Sequence, residues 1–108
     1  MKHARVLHND VELDVTVNDQ GDLVTAEGAV ISESEVTWLS PIKNPGTIFA
    51  LGLNYADHAA ELAFEPPKEP LVFLKGANTL TGHKQNAYRP DNIEFQHYEC
   101  ELVAVIGK

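Results

Sequence analysis

Glu99-Cys100-Glu101 sets two carboxylates two residues apart, directly before the apolar run Leu102 to Ile106. In an extended chain, side chains i and i+2 share a face, so both carboxylates point one way and Cys100 the other. Two such charges a few ångströms apart repel by about 2 to 4 kcal/mol at an effective dielectric near 20. A shared proton, a basic partner or a cation must offset that repulsion. All-oxygen ligands favour a hard ion, Mg2+ or Mn2+ ahead of Zn2+. A solvent-facing glutamate pair on an edge strand satisfies the same spacing, whereas the continuous apolar run that follows favours burial. His97 falls on the same face, either as a neighbour that orients the pair or as an ordinary strand histidine.

A second constellation is Asp57-His58-Ala59-Ala60-Glu61. On a helix, His58 and Glu61 lie three apart on one face and within reach of each other. An imidazole oriented by a carboxylate can act as a general base or activate a bound water. A solvated His-Glu helix pair is the plainer account of the same spacing. Lys75 ends the Phe73-Leu74 run, where it could pair with a substrate carboxylate or carry its ammonium to water. His83, Lys84 and Arg89 read as surface residues of a loop. Cys100 reads as a small core residue, because no activating base stands beside it.

The elements that must position these groups follow from period and punctuation. Val6, Val11, Leu13, Val15 and Val17 alternate with polar residues, which predicts two short strands around a turn at His8-Asn9-Asp10. Asn18 to Asp22 is a second turn, and Leu23-Val24-Thr25 opens the next strand. Val30-Ile31-Ser32 and Val36 to Leu39 are short apolar pieces flanking an acidic stretch. Pro41 and Asn44-Pro45-Gly46 punctuate the chain as a linker does. Beyond it, Thr47 to Leu51 predicts a buried strand, Gly52 to Tyr55 a turn, and Asp57 to Phe64 a short helix ending before Pro66. Leu71 to Lys75 predicts a second strand, Gly76 to Asn86 a polar loop, and residues 93–106 a third extended segment with a buried strand at 101–106. The expected fold is mainly β (α+β), with a small β-rich lobe over 1–45 and the first part of a second domain over 46–108. The final apolar strand, followed only by Gly107-Lys108, suggests a piece of a longer protein.

Composition narrows the function classes. The 108 residues are 44% hydrophobic and carry a net charge of -8, with eight basic against sixteen acidic residues. That balance argues against general nucleic-acid or anionic-membrane binding. No run reaches the roughly 20 apolar residues that span a bilayer, and Met1 to Arg5 has no apolar stretch behind it of the secretory kind. A single cysteine precludes an internal disulfide framework. A reduced, cytoplasmic protein is the expectation. The acidic residues of 1–45 read as a solvated face.

Taken in order, Gly52 to Glu61, Glu69 to Lys75, His97 to Leu102 and Val105 to Lys108 resemble the fumarylacetoacetate hydrolase family, over roughly residues 47–108. The resemblance implies a mixed β-roll catalytic domain that holds a divalent metal, Mg2+ or Mn2+, within a homodimer of the full-length protein. Glu99 and Glu101 match the two glutamate ligands, and His58 with Glu61 the catalytic dyad. Asn54, Tyr55 and Lys75 are implied on the substrate side. The third ligand of relatives is an aspartate further along, beyond Lys108. Asn78 to Gly82 and Arg89 to Glu94 favour members that isomerise or decarboxylate 2-oxo and 2-hydroxy-diene dicarboxylic acids in aromatic catabolism. Acylpyruvate or fumarylacetoacetate-type C–C hydrolases and oxaloacetate decarboxylases of the same fold are alternatives. So is a non-catalytic binding module, since one enolate-stabilising site serves several outcomes.

Overall fold

The structure, a computed structural model, describes residues 1–55 and 67–107. The helix expected over Asp57 to Phe64, and with it the pair His58 and Glu61, lies outside the described residues.

Strands β1 (Lys2–His8) and β2 (Val11–Val17) form the hairpin that the alternation predicts, paired antiparallel from Lys2 opposite Val17 to His8 opposite Val11. The two turn residues, Asn9 and Asp10, have φ of 48° and 62°. Paired left-handed residues of this kind match the twist of the flanking strands, and Asn and Asp tolerate that conformation best after glycine. The short strands β3 (Leu23–Val24), β4 (Val30–Ile31) and β5 (Thr37–Trp38) complete a five-stranded sheet in the order β4-β3-β2-β1-β5. The acidic stretch between β4 and β5 is a 3₁₀ turn, Glu33–Glu35, whose start is closed by reciprocal bonds between Ser32 and Glu35.

One face of this sheet is covered. Val6, Val15, Leu23 and Ile31 are buried, and Ala4, Leu13, Val17, Val36 and Trp38 pack against them. Burying each such side chain contributes about 1.5 to 3 kcal/mol. Arg5 points away from this core. Its guanidinium donates to the Ser40 carbonyl and to Glu12, both at 2.9 Å, and Lys43 reaches the same Glu12 oxygen at 2.6 Å. Those two cations, Lys43 foremost, hold the Glu12 carboxyl below the usual range.

Strands β6 (Ile48–Gly52) and β7 (Leu71–Lys75) form a separate antiparallel ribbon, with Gly52 opposite Leu71 and Ile48 opposite Lys75. Residues 93–106 depart from expectation. No strand forms there, and Leu102 and Ile106 are 93% and 89% exposed. The run has strand-like composition, yet among the described residues no strand pairs with it. A ladder needs a partner for its N–H and C=O groups.

The loop after β7 returns to the first sheet. Lys84 Nζ meets Glu33 Oε1 at 2.6 Å, the Trp38 indole N–H donates to the same oxygen at 3.0 Å, and the His83 ring stands edge-on to Trp38 at 5.3 Å. Gly82 lies so close to the strand that a Cβ there would fall on the Trp38 carbonyl. Backbone atoms cannot yield as a flexible side chain can, so only glycine fits.

Two outcomes follow from this strap. Gly82→Ala should unfasten it, lowering stability by about 1 to 3 kcal/mol, read as an earlier thermal transition and a red-shifted emission of the lone tryptophan. The Lys84 ammonium and then the Trp38 indole hold the Glu33 carboxyl below its ordinary value of 4.5. A depressed folded pKa gives stability that is complete above the unfolded value and lost as pH falls through the folded one. Trp38 emission should therefore show an acid transition below about pH 4.5 that Glu33→Gln abolishes.

Candidate active site

The ribbon's pleat decides what it presents. Leu71, Phe73 and Lys75 share one face of β7 by alternation, opposite Gly52, Ala50 and Ile48 of β6. That face is the more covered one on β6, whose residues alternate between half-buried and exposed from Ile48 to Gly52. Phe49 and Leu51, of the opposite parity, are 68% and 46% exposed. The chain leaves β6 through Leu53, which has φ of 53°. A leucine in the left-handed region costs on the order of 1 kcal/mol, and it turns Asn54 and Tyr55 back toward the ribbon.

Segment 96–101 crosses this region and borders an open hollow of about 660 Å³. Asn54 and Tyr55 line it from the turn, Leu71 and Phe73 from β7, and Glu99 and Glu101 from the crossing segment. Lys75 stands beside it, its Nζ 3.9 Å from Glu99 Oε1, with the two side chains 26% and 33% exposed. The structure thus gathers five of the seven site residues expected from sequence, Asn54, Tyr55, Lys75, Glu99 and Glu101. His58 and Glu61 lie outside the described residues.

Two expectations need correction. Glu99 and Glu101 do not open a buried strand, because residues 96–101 belong to no ladder. Cys100 lines the same cavity and is exposed rather than a core residue. A chain outside a ladder is not held to the two-residue repeat, so neighbouring side chains can face one hollow. Gln96 and Tyr98 also line the cavity. Nothing in their types or spacing marks them beforehand, because a wall built by a non-repetitive segment has no period to read.

The donor chemistry suits a hard cation. Glu99 and Glu101 both line the cavity, and the Lys75 ammonium lies 3.9 Å from Glu99 Oε1. His97 lines the cavity too, although among the described residues no group of three or more His, Cys, Asp or Glu comes together as a metal cage. A Mg2+ ion characteristically keeps several waters and takes one or two carboxylates, so the pair fits it as a partial ligand set. Among the described residues no helix is long and apolar enough to cross a membrane.

Comparison with known proteins bears on the family. Residues 47–108 match the family model described as the fumarylacetoacetate (FAA) hydrolase C-terminal domain. A 4-hydroxyphenylacetate degradation bifunctional isomerase/decarboxylase of Salmonella dublin is 60% identical over 85 residues, 79% of this chain and 19% of the relative. A homoprotocatechuate catabolism bifunctional isomerase/decarboxylase of Escherichia coli is 62% identical over 86 residues, 76% of this chain and 20% of the relative. A mitochondrial oxaloacetate tautomerase of Bos taurus is 40% identical over 79 residues, 73% of this chain and 25% of that protein. The chain therefore spans about a fifth to a quarter of the length of these relatives. The match over 47–108 takes in the ribbon, the turn at Leu53 and the glutamate pair together, and the chain belongs to the fumarylacetoacetate hydrolase family.

Proposed function

We propose that this chain forms part of a divalent-metal-dependent enzyme that isomerises or decarboxylates 2-oxo and 2-hydroxy-diene dicarboxylic acids in aromatic catabolism. What supports this reading most is the meeting of Glu99, Glu101, Asn54 and Tyr55 on one cavity, with Lys75 beside Glu99. The names of the bacterial relatives, isomerase/decarboxylases of 4-hydroxyphenylacetate and homoprotocatechuate breakdown, point the same way. The tautomerase name of the bovine relative describes a proton relocation on a 2-oxo acid, the same elementary step.

In this reading Glu99 and Glu101 hold Mg2+ or Mn2+, which when bound supplies positive charge against the oxygen charge that develops in the reaction. Lys75 attracts the acid's carboxylate, while Asn54 and Tyr55 orient its oxygens from the turn. Leu71 and Phe73 give one wall an apolar lining. His58, oriented by Glu61, moves the proton between carbon positions, a role that contributes about 10²- to 10⁴-fold in rate. In a protein of the relatives' length the working form is a dimer.

A binding module without turnover is the second reading, favoured by the absence of a three-ligand cluster among the described residues. Two measurements separate them. Water-proton relaxation with Mn2+ should show a site on the chain that Glu99→Gln and Glu101→Gln each weaken by roughly tenfold or more. The same residues within a protein of the relatives' length should convert 2-hydroxyhepta-2,4-diene-1,7-dioate faster than oxaloacetate or an acylpyruvate. There His58→Ala should cut kcat about 10²- to 10⁴-fold with Mn2+ binding intact. Full turnover by the doubly substituted glutamate variant would sink the enzymatic assignment.

A further inference from the structure

The contact between Lys75 and Glu99 is long, as is that between Arg5 and Asp14 at 3.8 Å. At 3.9 Å it is an ion pair without a hydrogen bond, since charge-assisted bonds close to about 2.7 to 2.9 Å. The elsewhere comparable pairs of this chain, Lys43 with Glu12 and Lys84 with Glu33, both close to 2.6 Å. The backbone of Lys75 is pinned opposite Ile48 at the end of the ribbon. Its ammonium rides on a flexible four-carbon stem with three rotatable donors. Glu99 in turn shares the cavity with Glu101, so the ammonium faces a site that two carboxylates make attractive to cations in general.

We propose that Lys75 is an exchangeable counter-cation: it neutralises Glu99 while no divalent ion is bound, and is displaced when one arrives. The displaced ammonium then meets the carboxylate of the incoming acid. This rests on the metal-dependent reading above and deepens it, because it orders the two events. Ion binding releases the group that attracts the acid. The doubly charged ion with two carboxylate ligands outcompetes a single long contact to a monovalent ammonium. Lys75 is here a positioning residue for the ion and a binding residue for the acid.

The pair itself can be trapped. A water-soluble carbodiimide joins a carboxylate to an amine only when the two touch. Applied to the metal-free 108-residue chain, it should give a Lys75–Glu99 cross-linked peptide by mass spectrometry, and Mg2+ should suppress that product. In parallel, Lys75→Met should tighten Mn2+ binding in the relaxation assay about two- to fivefold, the size that a half-exposed ion pair carries. It should at the same time weaken retention of a 2-oxo acid by the Mn2+-loaded chain. No cross-link in the metal-free wild type would overturn the pairing. A cross-link that persists while the relaxation assay shows Mn2+ bound would overturn the exchange and leave the metal reading standing. Loss of all Mn2+ binding in the wild type would overturn both. Equal or weaker Mn2+ binding by Lys75→Met would also overturn the exchange.

Discussion

Two carboxylates separated by one residue repel each other, and the arrangement of the ribbon brings positive charge beside one of them. Lys75 reaches Glu99 because β7 pairs with β6 in one register, Ile48 opposite Lys75 and Gly52 opposite Leu71. A slip of one residue would turn Leu71, Phe73 and Lys75 to the opposite face and bring Val72 and Leu74 over the cavity. The glutamates would then face a wall of aliphatic carbon with no cation. Register is thus an electrostatic requirement as much as a packing one.

A two-stranded ribbon is marginal by itself, and this one leaves Phe49 and Leu74 68% and 67% exposed. Its position relative to the rest of the chain depends on the loop that begins at Gly76, the residue after Lys75. That loop is fastened at Gly82, His83 and Lys84 to Trp38 and Glu33 on the edge of the five-stranded sheet. The sheet has a closed core in Val6, Val15, Leu23 and Ile31. The five-stranded sheet therefore supplies no residue to the described lining of the cavity and still bears on it, by holding the end of β7 from which Lys75 projects. The acidic face read from sequence as merely solvated contains, in Glu33, the anchor of that fastening.

How much of this is legible in the amino-acid sequence depends on the range of the interaction that decides each feature. The β1–β2 hairpin is legible because alternation and an Asn-Asp turn are local signals that agree. Strand β7 is legible to the residue, because an apolar run ends there in Lys75 and Gly76. The glutamate pair, Asn54, Tyr55 and Lys75 stand out by type and spacing together with the family resemblance, and the cavity gathers them. The segment 97–106 misleads for the converse reason. Its composition is that of a buried strand, while strandedness is a property of a pair, and pairing cannot be read from one member. The strap is invisible for a similar reason. Glu33 and Lys84 are 51 positions apart, and the need for glycine at 82 exists only once Trp38 lies against it.

The same logic bears on which acid the site would select. The described lining of the cavity, from Leu51 to Tyr55, Leu71, Phe73 and 96–101, contains no Lys or Arg, and Lys75 stands at its side. On the proposed reading, this wall can recognise one carboxylate together with the oxygens next to it, the part that oxaloacetate, acylpyruvates and diene dioates have in common. A second carboxylate at the far end of a longer diacid needs its own cation or hydrogen-bond donors, because a desolvated, unpaired charge costs several kcal/mol. A second cation would come from outside this wall. Shared proton chemistry would then reside in the part of the family that this chain carries, and discrimination among substrates in what packs across from it. That division is what allows proteins named as isomerase/decarboxylases and as a tautomerase to resemble one chain over 85 and 79 residues.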